Sequence, residues 1–113
     1  MSVIELNGER RSGHDVGFLY EEWDRLIAEA GWRKTEIFRA GDWPVFAVEN
    51  EAAVSGKEGG LYVSAGVHGD ECAPVWGLLE WVGADAEKLK DLPLVVFPCI
   101  NPHGIVENTR LDG

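Results

Sequence analysis

The chain has 113 residues, 45% of them hydrophobic, with five tryptophans and ten basic against twenty acidic side chains for a net charge of −10. That length fits one small domain with its own core, and the charge excludes a surface built for nucleic acid or anionic lipid, because phosphate binding needs clustered Lys and Arg. Two cysteines, Cys72 and Cys99, are too few for a disulfide framework. No apolar run approaches the ~20 residues of a membrane span, so a cytoplasmic setting is expected.

Residues 1–14, with Gly8, Gly13, His14 and several charges, read as a loose opening segment. From Asp15 the pattern turns helical. Leu19, Trp23, Leu26, Ile27 and Ala30 recur at three- and four-residue steps and share one face. Asp15 can cap the start and Gly31 can stop the helix. Thr35, Ile37 and Phe38, then Val45 to Val48, predict two strands around Ala40-Gly41-Asp42. Residues 50–60 read as a polar glycine-rich loop. Leu61 to Gly66 is a short apolar run bounded by glycines, which suits a buried strand. Pro74 suits the first helical position, and Val75, Leu78, Leu79 and Val82 carry a stripe to about Glu87. A second buried strand, 94–99, closes on Asn101-Pro102-His103-Gly104. Strand, helix and strand within about 40 residues make a βαβ unit with parallel strands. Trp23 and Trp81 are expected to pack between helices, and Cys99 to sit in the core.

In open α/β sheets, sites form beyond the carboxyl ends of parallel strands. His68 and Glu71 lie just past the first strand; His103 and Arg110 lie past the second. Residues three apart on a helical turn face the same way, so an imidazole nitrogen and a carboxylate oxygen can converge on one ion. Zinc accepts this mixture and, in catalytic sites, typically takes three protein ligands plus water. Gly66 and Gly69 let the backbone bend, and Glu71 stands at a helix mouth, where negative charge is favoured. The spacing alone also suits a cap or a surface pair. Asp70 is placed to hydrogen-bond a ligand imidazole, Cys72 to ligate a soft metal or to fill the core, and His103 to face the crevice or the solvent.

The stretches "AGVHGDE", "INPHG" and "NTR" resemble the zinc carboxypeptidase family and its relatives, the succinylglutamate desuccinylase and aspartoacylase group. The resemblance covers roughly residues 60–113. It implies an α/β fold, the amino-terminal portion of a mixed, largely parallel sheet with helices packed on it. It implies zinc as cofactor, His68 and Glu71 as metal ligands, and Arg110 as the arginine that stabilises the oxyanion. Position 103 departs from the family, which commonly has Asp there. The family's third ligand and general base have no counterpart in residues 1–113, which are expected to form one domain, the amino-terminal fragment of a larger catalytic domain. The implied activity is zinc-dependent hydrolysis of amide bonds in a peptide, as in metallocarboxypeptidases. The alternatives are deacylation of an N-acyl amino acid, or a non-catalytic metal-binding or interaction fragment. The chain alone is expected to be inactive and to self-associate.

Overall fold

The structure, a computed structural model, describes residues 3–6, 8–56 and 58–109. The opening segment is not loose. Strand β1 (Val3–Leu6) pairs antiparallel with β2 (Glu9–Ser12). Ile4 anchors this hairpin by burying its side chain in the main core. Gly8 turns it at φ +81°, a conformation glycine enters without steric cost. The sequence of β2, ERRS, has no apolar alternation to betray a strand.

Helix α1 (Val16–Ala30) lies where the apolar stripe placed it. The Asp15 carboxylate accepts the Phe18 N–H at 3.0 Å, and Gly31 ends the helix in the left-handed conformation. Strands β3 (Arg33–Ala40) and β4 (Trp43–Glu49) form the expected antiparallel hairpin, with a bulge between Glu36 and Phe38. Within the supposed loop 50–60 there is one short helix, α2 (Glu51–Val54). Four residues are too few to show a stripe; Asn50 makes the turn. Its fully buried side chain accepts the N–H groups of Ala53 and Leu94, both at 3.0 Å, and donates to the carbonyls of Leu89 and Leu92.

Strand β5 (Leu61–Ser64), helix α3 (Ala73–Leu89) and strand β6 (Leu94–Phe97) complete the predicted unit. The two strands are parallel neighbours, Leu61 opposite Leu94. Each stops two residues short of its expected end; past β5, Gly66 at φ +79° turns the chain away. The sheet order is β3-β4-β6-β5, and β4 meets β6 antiparallel. The sheet is therefore mixed, as expected, but two of its three described pairings are antiparallel; only β5–β6 is parallel.

Strand β5 is not buried. Tyr62 is 78% and Leu61 38% exposed. A parallel strand is dry when neighbours and helices enclose it, and β5 has a strand on one side only among the described residues. The core lies between α1, α3 and the sheet, built from Leu19, Trp23, Phe46, Val75, Val82 and Val96. Trp23 packs there as expected, but Trp81 is 37% exposed on the outer face of α3. After β6, Asn101 caps a short helix, α4 (Pro102–Glu107), where only a closing turn was expected. No described helix is long and apolar enough to cross a membrane.

Candidate functional site

Backbone hydrogen bonds continue the β5–β6 ladder beyond both strands. Ala65 donates to the Phe97 carbonyl at 3.2 Å, Ile100 to Ala65 at 2.9 Å, and Asn101 to Gly66 at 2.8 Å. The two loops that follow the strands are thus zipped together before they diverge. From Gly66 the chain runs through a tight turn closed by the Glu71 N–H on the His68 carbonyl at 3.1 Å. It then enters α3 through Cys72 and Ala73.

This turn sets His68 Nδ1 3.5 Å from Glu71 Oε1, with the side chains 39% and 52% exposed. Two ligands held about 2.0–2.1 Å from a tetrahedral zinc stand about 3.3–3.4 Å apart. The pair is therefore already near the spacing one shared ion would impose. As a plain ion pair at this exposure it would contribute little. Asp70 joins them: ligand-type atoms of His68, Asp70 and Glu71 all lie within 4.8 Å of one another. One imidazole and two carboxylates are a donor set that zinc accepts, so the residues present fit the implied metal. Only the carboxylate of Asp70 as a nearby donor was understated by the sequence, which placed it behind the imidazole. A shallow pocket of about 260 Å³, lined by Gly66, Val67, His68, Glu71 and Pro74, opens beside the cluster. A larger cavity of about 780 Å³ lies elsewhere, between the β1 segment, α1 and α3, and includes none of these donors.

The other candidates separate. Arg110 lies outside the described residues. His103 does not join the cluster; its Nδ1 lies beside the β3–β4 turn, 3.7 Å from where a Cβ on Gly41 would stand. Cys72 is buried, as is Cys99; burial pushes the Cys99 thiol up to about 12, so it stays protonated at neutral pH. His14, which had no assigned role, contacts the Ile105 carbonyl through Nδ1 at 2.8 Å and ties the segment before α1 to α4.

Three residues hold the turn: Gly66 and Gly69, which the sequence marked only as points of bending, and Asn101, which it gave only as the start of the closing turn. Gly69 is buried, and a Cβ on it would overlap the carbonyl of Gly104 and the carbonyl oxygen of Thr109. A Cβ on Gly66 would come 2.8 Å from Cys99 Sγ. Asn101, 7% exposed, bonds to both loops. The glycines at 66 and 69 signalled a bend, which Gly66 makes at φ +79°; the close approach of Gly69 to a distant backbone has no sequence signal.

A family model described as the succinylglutamate desuccinylase/aspartoacylase catalytic domain matches residues 57–113. Among solved structures, a presumed metallopeptidase from Shewanella baltica OS155 superposes with TM-score 0.82 at 25% identity, over 96% of this chain and 41% of that one. Another, from Shewanella amazonensis SB2B, gives TM-score 0.82 at 28% identity with the same coverages, 96% and 41%. Bovine thrombin-activatable fibrinolysis inhibitor, solved with tick carboxypeptidase inhibitor, shares the fold alone, at TM-score 0.64 and 14% identity over 84% of this chain and 35% of that one. A search of curated protein sequences finds no significant match. The chain thus spans 41% of the length of the first two solved relatives, and its mixed α/β fold is of the zinc carboxypeptidase kind.

Proposed function

The chain belongs to the succinylglutamate desuccinylase/aspartoacylase catalytic-domain family, and from that membership we propose that it carries part of the centre of a zinc-dependent amide hydrolase. His68 and Glu71 hold the metal. The observation that carries this reading is their 3.5 Å separation on the turn after β5, inside the stretch the family model matches. When bound, zinc lowers the pKa of a water and polarises a carbonyl. The chain's own residues orient that chemistry. The β5–α3 turn fixes the imidazole and the carboxylate, Asp70 adds negative charge beside them, and Pro74 and Val67 wall the adjoining pocket. Arg110, at the end of the stretch "NTR", supplies the cation that meets the developing oxyanion.

An N-acyl amino acid is the substrate we favour, because the family match falls on the site residues themselves. A peptide is the second reading, favoured by the two Shewanella structures whose names call them metallopeptidases. The resemblance implies a further ligand and a general base that the described residues do not supply. The 113 residues alone therefore bind zinc without turning over substrate. Metal analysis and zinc competition should give one zinc per chain, lost in His68→Ala and Glu71→Ala. Zinc content unchanged in both variants would exclude the assignment. Turnover of N-acyl amino acids or of peptides by the unmodified chain would mean that Asp70 or a second copy completes the site.

A further inference from the structure

We infer that Asn101 is a positioning residue for the metal turn: its side chain clamps the backbone at Val67 to the start of α4, so a motif thirty-odd residues downstream holds His68 and Glu71 in place. The inference rests on the metal reading above and goes beyond it, since Asn101 touches no metal donor.

Asn101 is buried, and each of its polar groups is engaged. Its backbone N–H donates to the Gly66 carbonyl at 2.8 Å, and its carbonyl accepts from Ile105 at 3.1 Å. Its side-chain oxygen accepts the Gly104 N–H at 2.9 Å, and its side-chain amide donates to the Val67 carbonyl at 3.3 Å. The orientation of that amide is decided by chemistry. Gly104 offers a donor, so the oxygen must face it, and the NH₂ is left for the Val67 carbonyl. Nor can the side chain swing freely. It lies over Gly104 so closely that a Cβ there would overlap it. Gly66 and Val67 immediately precede His68, and two residues beyond Val67 the buried Gly69 rests on Gly104 and Thr109. The turn is thus gripped on both sides of His68 by one short segment, 101–109. Partners that orient metal ligands typically carry about 10–100-fold in metal affinity.

The test is Asn101→Asp, with Asn101→Ser made in parallel. Both residues keep an oxygen to cap Gly104 and are favoured caps, while both lose the amide donor to Val67. The aspartate also adds negative charge near a cation site, which by Coulomb attraction would strengthen binding, so weaker binding reads lost positioning. Asp15→Ala is the control: it removes the cap of α1 without touching the turn. Zinc affinity is measured by chelator competition, the cobalt-substituted visible spectrum reports ligand geometry, and hydrogen exchange of the metal-free chain follows the Glu71 N–H. The expected result is zinc binding at least about tenfold weaker in both Asn101 variants, an altered cobalt spectrum, and Glu71 exchange raised about as much, with Asp15→Ala like wild type. Wild-type affinity, spectrum and Glu71 exchange in the Asn101 variants would overturn the inference. If wild type itself binds no zinc, the metal reading fails. Hydrogen exchange then judges the clamp by itself, and an unchanged Glu71 amide in the variants defeats it.

Discussion

Alanine at position 69 puts a methyl group where the fold leaves no room. Gly69 is buried between His68 and Glu71, and the atoms its Cβ would overlap, at Gly104 and Thr109, are backbone. No side chain can swing aside, so the turn and the end of α4 must part by about 1 Å to restore ordinary contact. Forcing a methyl into packed structure costs about 1–3 kcal/mol, against roughly 5–15 kcal/mol that hold a typical domain folded. The displacement falls on the turn that carries His68 and Glu71. Zinc affinity should therefore fall at least about tenfold, the range seen when support around metal ligands is lost. Two glycines of α3 supply an internal reference. An added Cβ at Gly77 or Gly83 meets nothing within 4 Å, so alanine there should stabilise by about 0.5–1 kcal/mol through helix propensity. Urea unfolding followed by circular dichroism gives the stabilities, and chelator competition gives the zinc affinities. A Gly69→Ala chain as stable as Gly77→Ala, with wild-type zinc affinity, would refute the tight contact between the turn and α4.

Because burial raises the Cys99 thiol to about 12 from its ordinary 9.0, the folded chain keeps a proton that the unfolded chain releases. That contribution is whole below pH 9 and is lost as pH climbs toward 12, at up to about 1.4 kcal/mol per pH unit. Urea midpoints measured from pH 8 to 11 should fall less steeply in Cys99→Ala, and parallel curves would count against the buried thiol; Tyr20, also raised by burial, adds to the alkaline loss in both chains. Asn50→Ala strands the carbonyls of Leu89 and Leu92 and the N–H groups of Ala53 and Leu94, so calorimetry should show at least about 3 kcal/mol lost, and a loss below about 1 kcal/mol would mean that other partners replace it. Residues 59–66, around β5, are uncharged, whereas the opposite edge β3 carries charges and a bulge, devices that blunt edges against pairing. Sedimentation should therefore reveal self-association that Tyr62→Lys weakens; a monomer at every concentration would argue against pairing through β5.

Much of the architecture was legible because the signals were local. A cap, a stripe and a stopping glycine sit within one helix, so Asp15, Trp23 and Gly31 define α1 without help from the rest of the chain. The same holds for Pro74 and the stripe of α3, and for the apolar runs of β5 and β6. His68 and Glu71 were legible as a pair for a related reason: three-residue spacing on a turn after a strand is a short-range geometry. The hairpin β1–β2 and the short helices α2 and α4 escaped because each owes its form to partners far along the chain. Ile4 needs the main core, Asn50 needs Leu94, and α4 is fastened by His14.

By itself the sequence determined where the two long helices and strands β3 to β6 run and which two side chains share the turn, since spacing and capping act over a few residues. Tertiary structure alone decided what those elements meet. It placed β5 at an edge rather than in the dry interior, and set His103 beside Gly41, outside the His68–Asp70–Glu71 cluster. It also set Asn101 and Gly69 as the contacts between two motifs. The physical reason is that a close approach of backbones and a hydrogen bond across more than thirty residues depend on how finished elements pack, and no local pattern of residue types encodes that.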